Sequence, residues 1–287
     1  MRIIHTLDEM TETARGWLAG GSVGFVPTMG YLHEGHTMLI RTAQQECEIS
    51  VVSIFVNPLQ FPSEEDWAQY PRDLARDLHL LNAENTDVVF IPRVEDMFPP
   101  HFSTYVTPFG PIAERLEGAI SPGYGRGVAT AITKFFQLVR PDVAYFGQID
   151  ALQVAVVRQI VRDLNIDVKL RILPTTREHD GLAMGSRNHS FSPAERQAAN
   201  ILYRALVAGK ALIDKGERSP AVIEKAMADL VATESLVTLA YVSVCHPDTF
   251  NPVEEVKPQT LLTIAAHIGR THLADNIRWM GENDWLV

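Results

Sequence analysis

Cysteine is scarce in this chain. Only Cys47 and Cys245 are present, with no metal-ligand spacing between them, which argues against a disulfide-stapled fold or a cysteine-based metal site and leaves two reduced thiols. Long hydrophobic runs are missing too: nothing approaches the ~20 apolar residues of a membrane-spanning helix. No N-terminal stretch has the basic-then-apolar pattern of a signal peptide. A cytoplasmic, soluble protein with no membrane partner is the expectation. Positive charge is short as well, with 25 Lys and Arg against 35 Asp and Glu and a formal net charge of −10. Binding along a nucleic acid needs a basic face, so no nucleic acid is expected as the main partner. Repeats and low-complexity segments do not occur.

Apolar residues, by contrast, are plentiful at 46% of 287, enough for one large domain or two smaller ones with real cores. Short apolar runs at 1–6, 22–26, 49–56, 87–91, 143–146 and 168–173 read as strands. Helical periodicity fills the stretches at 7–18, 37–45, 63–81, 128–139 and 151–164. The β-branched, nearly uninterrupted run at 49–56 suits a parallel strand covered on both faces. Strands alternating with helices predict right-handed crossovers and an α/β, Rossmann-like, doubly wound parallel sheet. Ser192-Pro193-Ala194-Glu195 then carries the hydroxyl, proline and acid of a helix start. Helices follow to about 232, with strands near 239–244, 261–268 and 273–279, predicting a smaller C-terminal α+β domain. The expected division is 1–184 and 185–287.

The centre of the chain is Val26-Pro27-Thr28-Met29-Gly30-Tyr31-Leu32-His33-Glu34-Gly35-His36. A strand stopped by Pro27, a glycine turn and a helix start make a site for a phosphorylated ligand, because first-turn N–H groups point outward. His33 and His36 are three apart, so they share a helix face and can both donate to phosphate oxygens or move a proton. In doubly wound sheets ligands sit outside the carboxyl ends of the strands, which is where Asn57, Pro58 and Gln60 fall. Their amides suit a hydroxy acid better than a phosphate. Ser63 with Asp66 predicts a helix cap. Asp73 and Asp77, on one helical face, read as a solvated acidic surface, with water-mediated Mg²⁺ as the sharper alternative. The four glycines and Arg126 within 113–130 read either as a mobile loop closing over an anion or as plain surface loop.

Pro-Thr-Met-Gly-x-Leu-His-Glu-Gly-His together with Val51-Val52-Ser53-Ile54-Phe55-Val56-Asn57-Pro58-Leu59-Gln60-Phe61 resembles the pantothenate synthetase (pantoate–β-alanine ligase) family, over nearly the whole chain. The His-x-Gly-His string is similar to the HxGH signature of the nucleotidyltransferase superfamily. The resemblance implies an ATP-dependent ligase that joins pantoate to β-alanine through pantoyl adenylate, releasing pyrophosphate and AMP. It implies Mg²⁺ beside the phosphates, a homodimer, and a C-terminal domain closing as a lid over the nucleotide. Residue by residue it implies nucleotide contacts at Met29, Gly30, His33, His36, Gly147, Gln148, Asp150, Thr176, Met184, Ser186 and Arg187. Pantoate contacts are implied at Gln60 and Gln153, with Asn57 beside them. His36, His33 and Arg187 are the catalytic candidates, His36 as proton donor. The segment 174–188 is similar to the flexible second nucleotide motif of the synthetases.

Three departures fall in the inferred phosphate wall. F-G-x-K-D-x-x-Q reads Phe146-Gly147-Gln148-Ile149-Asp150-Ala151-Leu152-Gln153, replacing a lysine by Ile149. P-x-H-F-x-G reads Pro122-Gly123-Tyr124-Gly125-Arg126-Gly127, and S-S-R-N reads Gly185-Ser186-Arg187-Asn188. Arg126, Lys134 and Arg177 are candidate substitutes for the lost charge. The departures leave open an adenylate-forming ligase with a shifted acid or amine, and a ligand-binding paralogue without turnover.

Overall fold

The computed structural model describes residues 1–17, 20–282 and 284–287, so the Leu18 end of the expected first helix lies outside the described residues. The chain divides into two compact units, Met1–Phe146 with Leu152–Leu173, and Gly147–Ala151 with Pro174–Val287. The expectation drew its line at 184/185. The contact division falls earlier because residues after Leu173 bond within the second unit: Thr175 N donates to Val287 O at 2.9 Å, and Arg177 pairs with Asp275 at 2.7 Å.

Strands β1 (Arg2–Ile4), β2 (Val23–Thr28), β3 (Ile49–Ile54), β4 (Val88–Phe90), β5 (Val143–Gly147) and β6 (Lys169–Leu173) form a six-stranded parallel sheet in the order β1-β4-β3-β2-β5-β6. The chain winds outward from β2 through β3 to β4 on one side and from β5 to β6 on the other, placing the topological switch point between β2 and β5. One core of the larger unit gathers Val26, Leu32, Ile40, Val52, Leu81, Val89 and Tyr145. Each of its large aliphatics is worth roughly 1.5–3 kcal/mol by burial.

Pro27 does not end β2. The strand runs on to Thr28, pairing Pro27 with Ser53 and Thr28 with Ile54. Thr28 O accepts from Phe55 N on the β3 side, so by two-residue alternation Pro27 faces the β5 side, where pairing has ended at Phe25. No ladder donor is lost there.

A second correction concerns the glycine-rich stretch. The helix starts at Tyr124 and runs to Val139, so Tyr124–Gly127 form its first turn rather than a loop. Gly127 presses on the short 3-10 turn Pro58–Gln60: a Cβ on it would lie 2.3 Å from Leu59 O.

In the second unit, β7 (Val237–Cys245), β8 (Leu261–Ile268), β9 (Thr271–Gly281) and β10 (Asp284–Leu286) form an antiparallel sheet. Helices Ile201–Asp214 and Pro220–Val231 supply Leu202, Leu206, Ile223 and Met227 to a core shared with Leu262, Ile264 and Ile277. Ser192 caps the helix Pro193–Ala199 with Glu195 in a capping box, as its sequence predicts.

Gly127→Ala must therefore displace the Pro58–Gln60 turn. Thermal unfolding is expected to show a loss of about 1–3 kcal/mol, the usual cost of overpacking.

Candidate active site

The turn after β2 is set by buried polar bonds. Gly30 lies at φ +75° and donates its N–H to Thr28 Oγ1 at 3.2 Å, while Thr28 Oγ1 donates to Ser53 O at 2.7 Å. A Cβ on Gly30 would meet Asp77 Oδ2 at 3.0 Å and Ile54 Cγ2 at 3.1 Å, so glycine answers both the angle and the space. Met29 sits between strand and turn. Asp77, on the helix Leu74–Ala83, accepts Tyr31 N on Oδ2 and Leu32 N on Oδ1, each at 2.7 Å. It is 1% exposed. Asp73 caps the same helix by accepting Arg76 N at 3.0 Å. Asp77 leaves both readings, because its two oxygens are spent on backbone N–H groups in a buried place, whereas Asp73 stays on the exposed face with one oxygen capping the helix. The sequence groups Asp77 with Asp73 on one acidic face; what that grouping does not carry is the burial of Asp77 against the Tyr31 and Leu32 amides.

The helix Glu34–Glu46 then begins with a capping box made of two histidines. His33 Nδ1 accepts Gly35 N at 3.2 Å, and His36 Nδ1 accepts His33 N at 3.3 Å. With Nδ1 an acceptor in both rings, the ring proton of each neutral imidazole sits on Nε2. The ring centroids lie 4.2 Å apart. Burial lowers the pKa of His33, helped by the charge of Arg76, and pushes His36 down to about 3, with the charge of His33 as second cause.

Two expectations change. His36 stays neutral near pH 7 and so offers an Nε2–H hydrogen bond rather than a proton. The first-turn amides are not all outward donors either: Gly35 N is taken by His33 Nδ1 and His36 N by His33 O at 2.8 Å. Anion contact falls to the imidazoles. Arg76, stacked on the Tyr31 ring at 5.1 Å, adds a cation beside them that the sequence did not single out.

Asn57 and Gln60 follow β3, whose end pairs in register with the end of β2. Asn57 is 1% exposed; its Nδ2 donates to Gln60 Oε1 at 2.9 Å and to Gly127 O at 3.0 Å, and its Oδ1 accepts Leu59 N at 3.1 Å. Both amide hydrogens are committed, so Asn57 holds Gln60 rather than offering donors of its own. Gln60 Nε2, in contrast, is buried with no partner, a donor suited to an acceptor-rich ligand. Gln153 lies in the first turn of the helix Ala151–Asp163, which follows β5 across the switch point.

The other predicted contacts belong to the second unit. Gly147 ends β5, and Gln148 and Asp150 lie in the turn after it. Gln148 is buried and donates Nε2 to Asn276 Oδ1 at 2.7 Å, so its side chain is engaged within the protein. Thr176 and Met184 are joined by Met184 N donating to Thr176 O at 2.9 Å, beside an Arg177–Ala183 bridge. The first part of this motif forms a bonded hairpin, with Arg196 pairing to both Glu178 and Asp180. Ser186 and the exposed Arg187 lie just beyond it, before the 3-10 turn Asn188–Ser190.

The candidate replacement charges are engaged. Arg126 stacks on Tyr105, Lys134 lies over Phe98 and Phe102, and Arg177 is bidentate to Asp275. Gly125 leaves 3.3 Å from an added Cβ to Pro108 Cγ, so Pro108 fills part of the space an aromatic would take.

The profile of the pantoate-beta-alanine ligase family matches residues 2–278. The chain belongs to the pantoate-beta-alanine ligase family. It is 49% identical to a pantothenate synthetase of Chloroflexus aggregans over 96% of this chain and 99% of that one. A pantothenate synthetase of Thermosipho melanesiensis is 47% identical with the same coverage of both chains. Among solved structures, the pantothenate synthetase of Thermus thermophilus aligns with a TM-score of 0.91 at 41% identity, covering 96% and 98%. The pantoate-beta-alanine ligase of Francisella tularensis, complexed with beta-gamma ATP and beta-alanine, aligns at 0.79 and 30%, covering 96% and 97%.

Within the family frame, two outcomes follow from this geometry. His36 has a folded pKa of about 3 against 6.5 unfolded, so between those values only the unfolded state takes up the proton. Its stability contribution is complete above pH 6.5 and shrinks as pH falls, by about 1.4 kcal/mol per unit inside the window. Urea midpoints of His36→Asn, which keeps an acceptor near Nδ1, are expected to fall less steeply with acid than those of the parent. Asp77→Ala leaves the Tyr31 and Leu32 amides without their partner, at roughly 1–3 kcal/mol for each buried donor; denaturant melts check this.

Proposed function

We propose that the protein is an ATP-dependent ligase that forms pantothenate from pantoate and β-alanine through a pantoyl-adenylate intermediate, releasing pyrophosphate and then AMP. The observation that carries this reading is the His33–His36 capping box, which commits both Nδ1 atoms to backbone and leaves two neighbouring Nε2–H donors, in a chain of the pantoate-beta-alanine ligase family. The Francisella tularensis relative's complex with an ATP derivative and beta-alanine supports the choice of substrates.

The physical problem is charge. A carboxylate must attack the α-phosphorus of a polyanion, so donors must be placed in advance where negative charge builds up, and the acid must be held in line. On the first unit the two Nε2–H groups and the Met29–Gly30 backbone are the nucleotide contacts, and Arg76 adds positive potential beside His33. On the second unit the proposed nucleotide contacts are Ser186 and Arg187, with Gly147, Asp150, Thr176 and Met184. Gln60 Nε2, fixed through Asn57, and Gln153 take pantoate. The amine of β-alanine then attacks the acyl carbon of the adenylate and AMP leaves. Neutral imidazoles suit this scheme, because they donate to the phosphates while no step asks them for a proton.

Mg²⁺ enters only as a companion of the triphosphate. No cluster of three His, Cys, Asp or Glu among the described residues is placed to hold a metal, and both oxygens of Asp77 are committed to backbone. A cytoplasmic homodimer, with the C-terminal unit acting as the lid, completes the proposal. No helix among the described residues is long and apolar enough to cross a membrane.

Ile149 favours one second reading, a related ligase whose acid or amine differs. Purified protein with ATP, pantoate and β-alanine is expected to release AMP only when all three are present, and silence with all three contradicts the proposal. Ile149→Lys is expected to raise pyrophosphate exchange, by up to about 10²-fold if a prepositioned donor is restored. Exchange with another carboxylic acid but not with pantoate selects the second reading.

A further inference from the structure

Asn276 lies on β9, far along the chain from the turn after β5, yet its side-chain amide is spent wholly on that turn. Nδ2 donates to Gln148 O at 2.9 Å and to Ile149 O at 3.0 Å, while Oδ1 accepts Gln148 Nε2 at 2.7 Å. Asn276 is 1% exposed and Gln148 2%. Two consecutive carbonyls converge on one nitrogen, an arrangement that would leave two acceptors unpaired without a donor at that point. The neighbouring Asp275 makes the matching contact on another segment: it takes Arg177 in a bidentate pair, with Arg177 also stacked on Tyr203 at 4.4 Å. Arg177 stands in the hairpin that carries Thr176 and Met184. One dipeptide of β9 therefore grips both segments of the second unit that hold its nucleotide-site candidates.

We propose that Asn276 is a positioning residue for the adenylate-forming half-reaction, fixing the Gly147–Ala151 turn from which Asp150 and the Gln153 helix depart. This rests on the ligase reading above. Asparagine is required by the bond pattern: two donors and one acceptor on one planar group. Aspartate at the same place keeps the acceptor for Gln148 but turns an oxygen toward two carbonyls. Displacement of a reacting group by about 1 Å costs on the order of 10²-fold in rate.

The test pairs Asn276→Asp with Gln148→Met, which removes a single bond and leaves β9 untouched. Hydrogen exchange of the 148–151 amides, without ligand, is expected to rise in both variants, more in Asn276→Asp. In the folded Asn276→Asp variant, kcat for pyrophosphate exchange is expected to fall about 10²-fold, with a smaller change in the KM for ATP. A role in stability alone would instead scale activity with the folded fraction. Unchanged exchange in the turn, or raised exchange with an unchanged kcat, overturns the proposal. Should Asn276→Asp not fold, Gln148→Met decides by the same two readings. An inactive parent protein overturns the ligase reading and with it any role in that half-reaction, while the hydrogen-exchange arm still decides whether the turn is anchored here.

Discussion

Two backbone N–H groups bonded to two imidazole Nδ1 atoms fix the tautomer of His33 and His36, and the proposed chemistry depends on that. Helix starts are ordinarily capped by short oxygen-bearing side chains. Here His33 and His36 do the capping, and the consequence reaches beyond helix stability: a ring that accepts through Nδ1 must carry its neutral proton on Nε2. Burial then keeps His36 from taking a second proton near pH 7. The approach to the helix is held with equal care, because Asp77 fixes the amides of Tyr31 and Leu32 immediately before His33.

The same economy recurs at the other candidate contacts. Asn57 spends its donors inside the protein so that Gln60 Nε2 is the one presented, and Gly127 allows the helix Tyr124–Val139 to close on that turn. In the second unit, Asp275 and Asn276 do for the hairpin and the post-β5 turn what Asp77 does for the histidine loop. In each case a segment bearing a candidate contact is held by a buried polar side chain whose own bonds are satisfied, the condition under which such networks stiffen a structure rather than weaken it.

Much of this was legible in the sequence. The β-branched run of β3, the alternation of strands and helices, and the His-x-Gly-His string gave the sheet, its winding and the family. The post-strand positions of Asn57 and Gln60 gave their location. What stayed hidden were contacts made by chain-distant partners. Nothing local distinguishes Asp77 from Asp73, yet one clamps a loop and the other caps a helix. Pro27 reads as a strand end until its ladder side is known, and Gly125 and Gly127 read as loop until Pro108 and Leu59 are found against them. Asn276 sits in a mixed strand beside Asp275 and Arg278, where nothing local marks which polar side chain turns inward. His36 reads as a proton donor until its enclosure beside His33 is known, since titration depends on surroundings that spacing does not encode.

The protonation of the two imidazoles tests this account most directly. Long-range ¹H–¹⁵N correlation spectra of histidine-labelled protein at pH 7 report it without any assay of turnover. Bare Nδ1 and protonated Nε2 on both His33 and His36, with both Nε2 resonances shifting on addition of ATP, is the result predicted. A proton on Nδ1 of either ring, or an imidazolium at His36, would contradict the account.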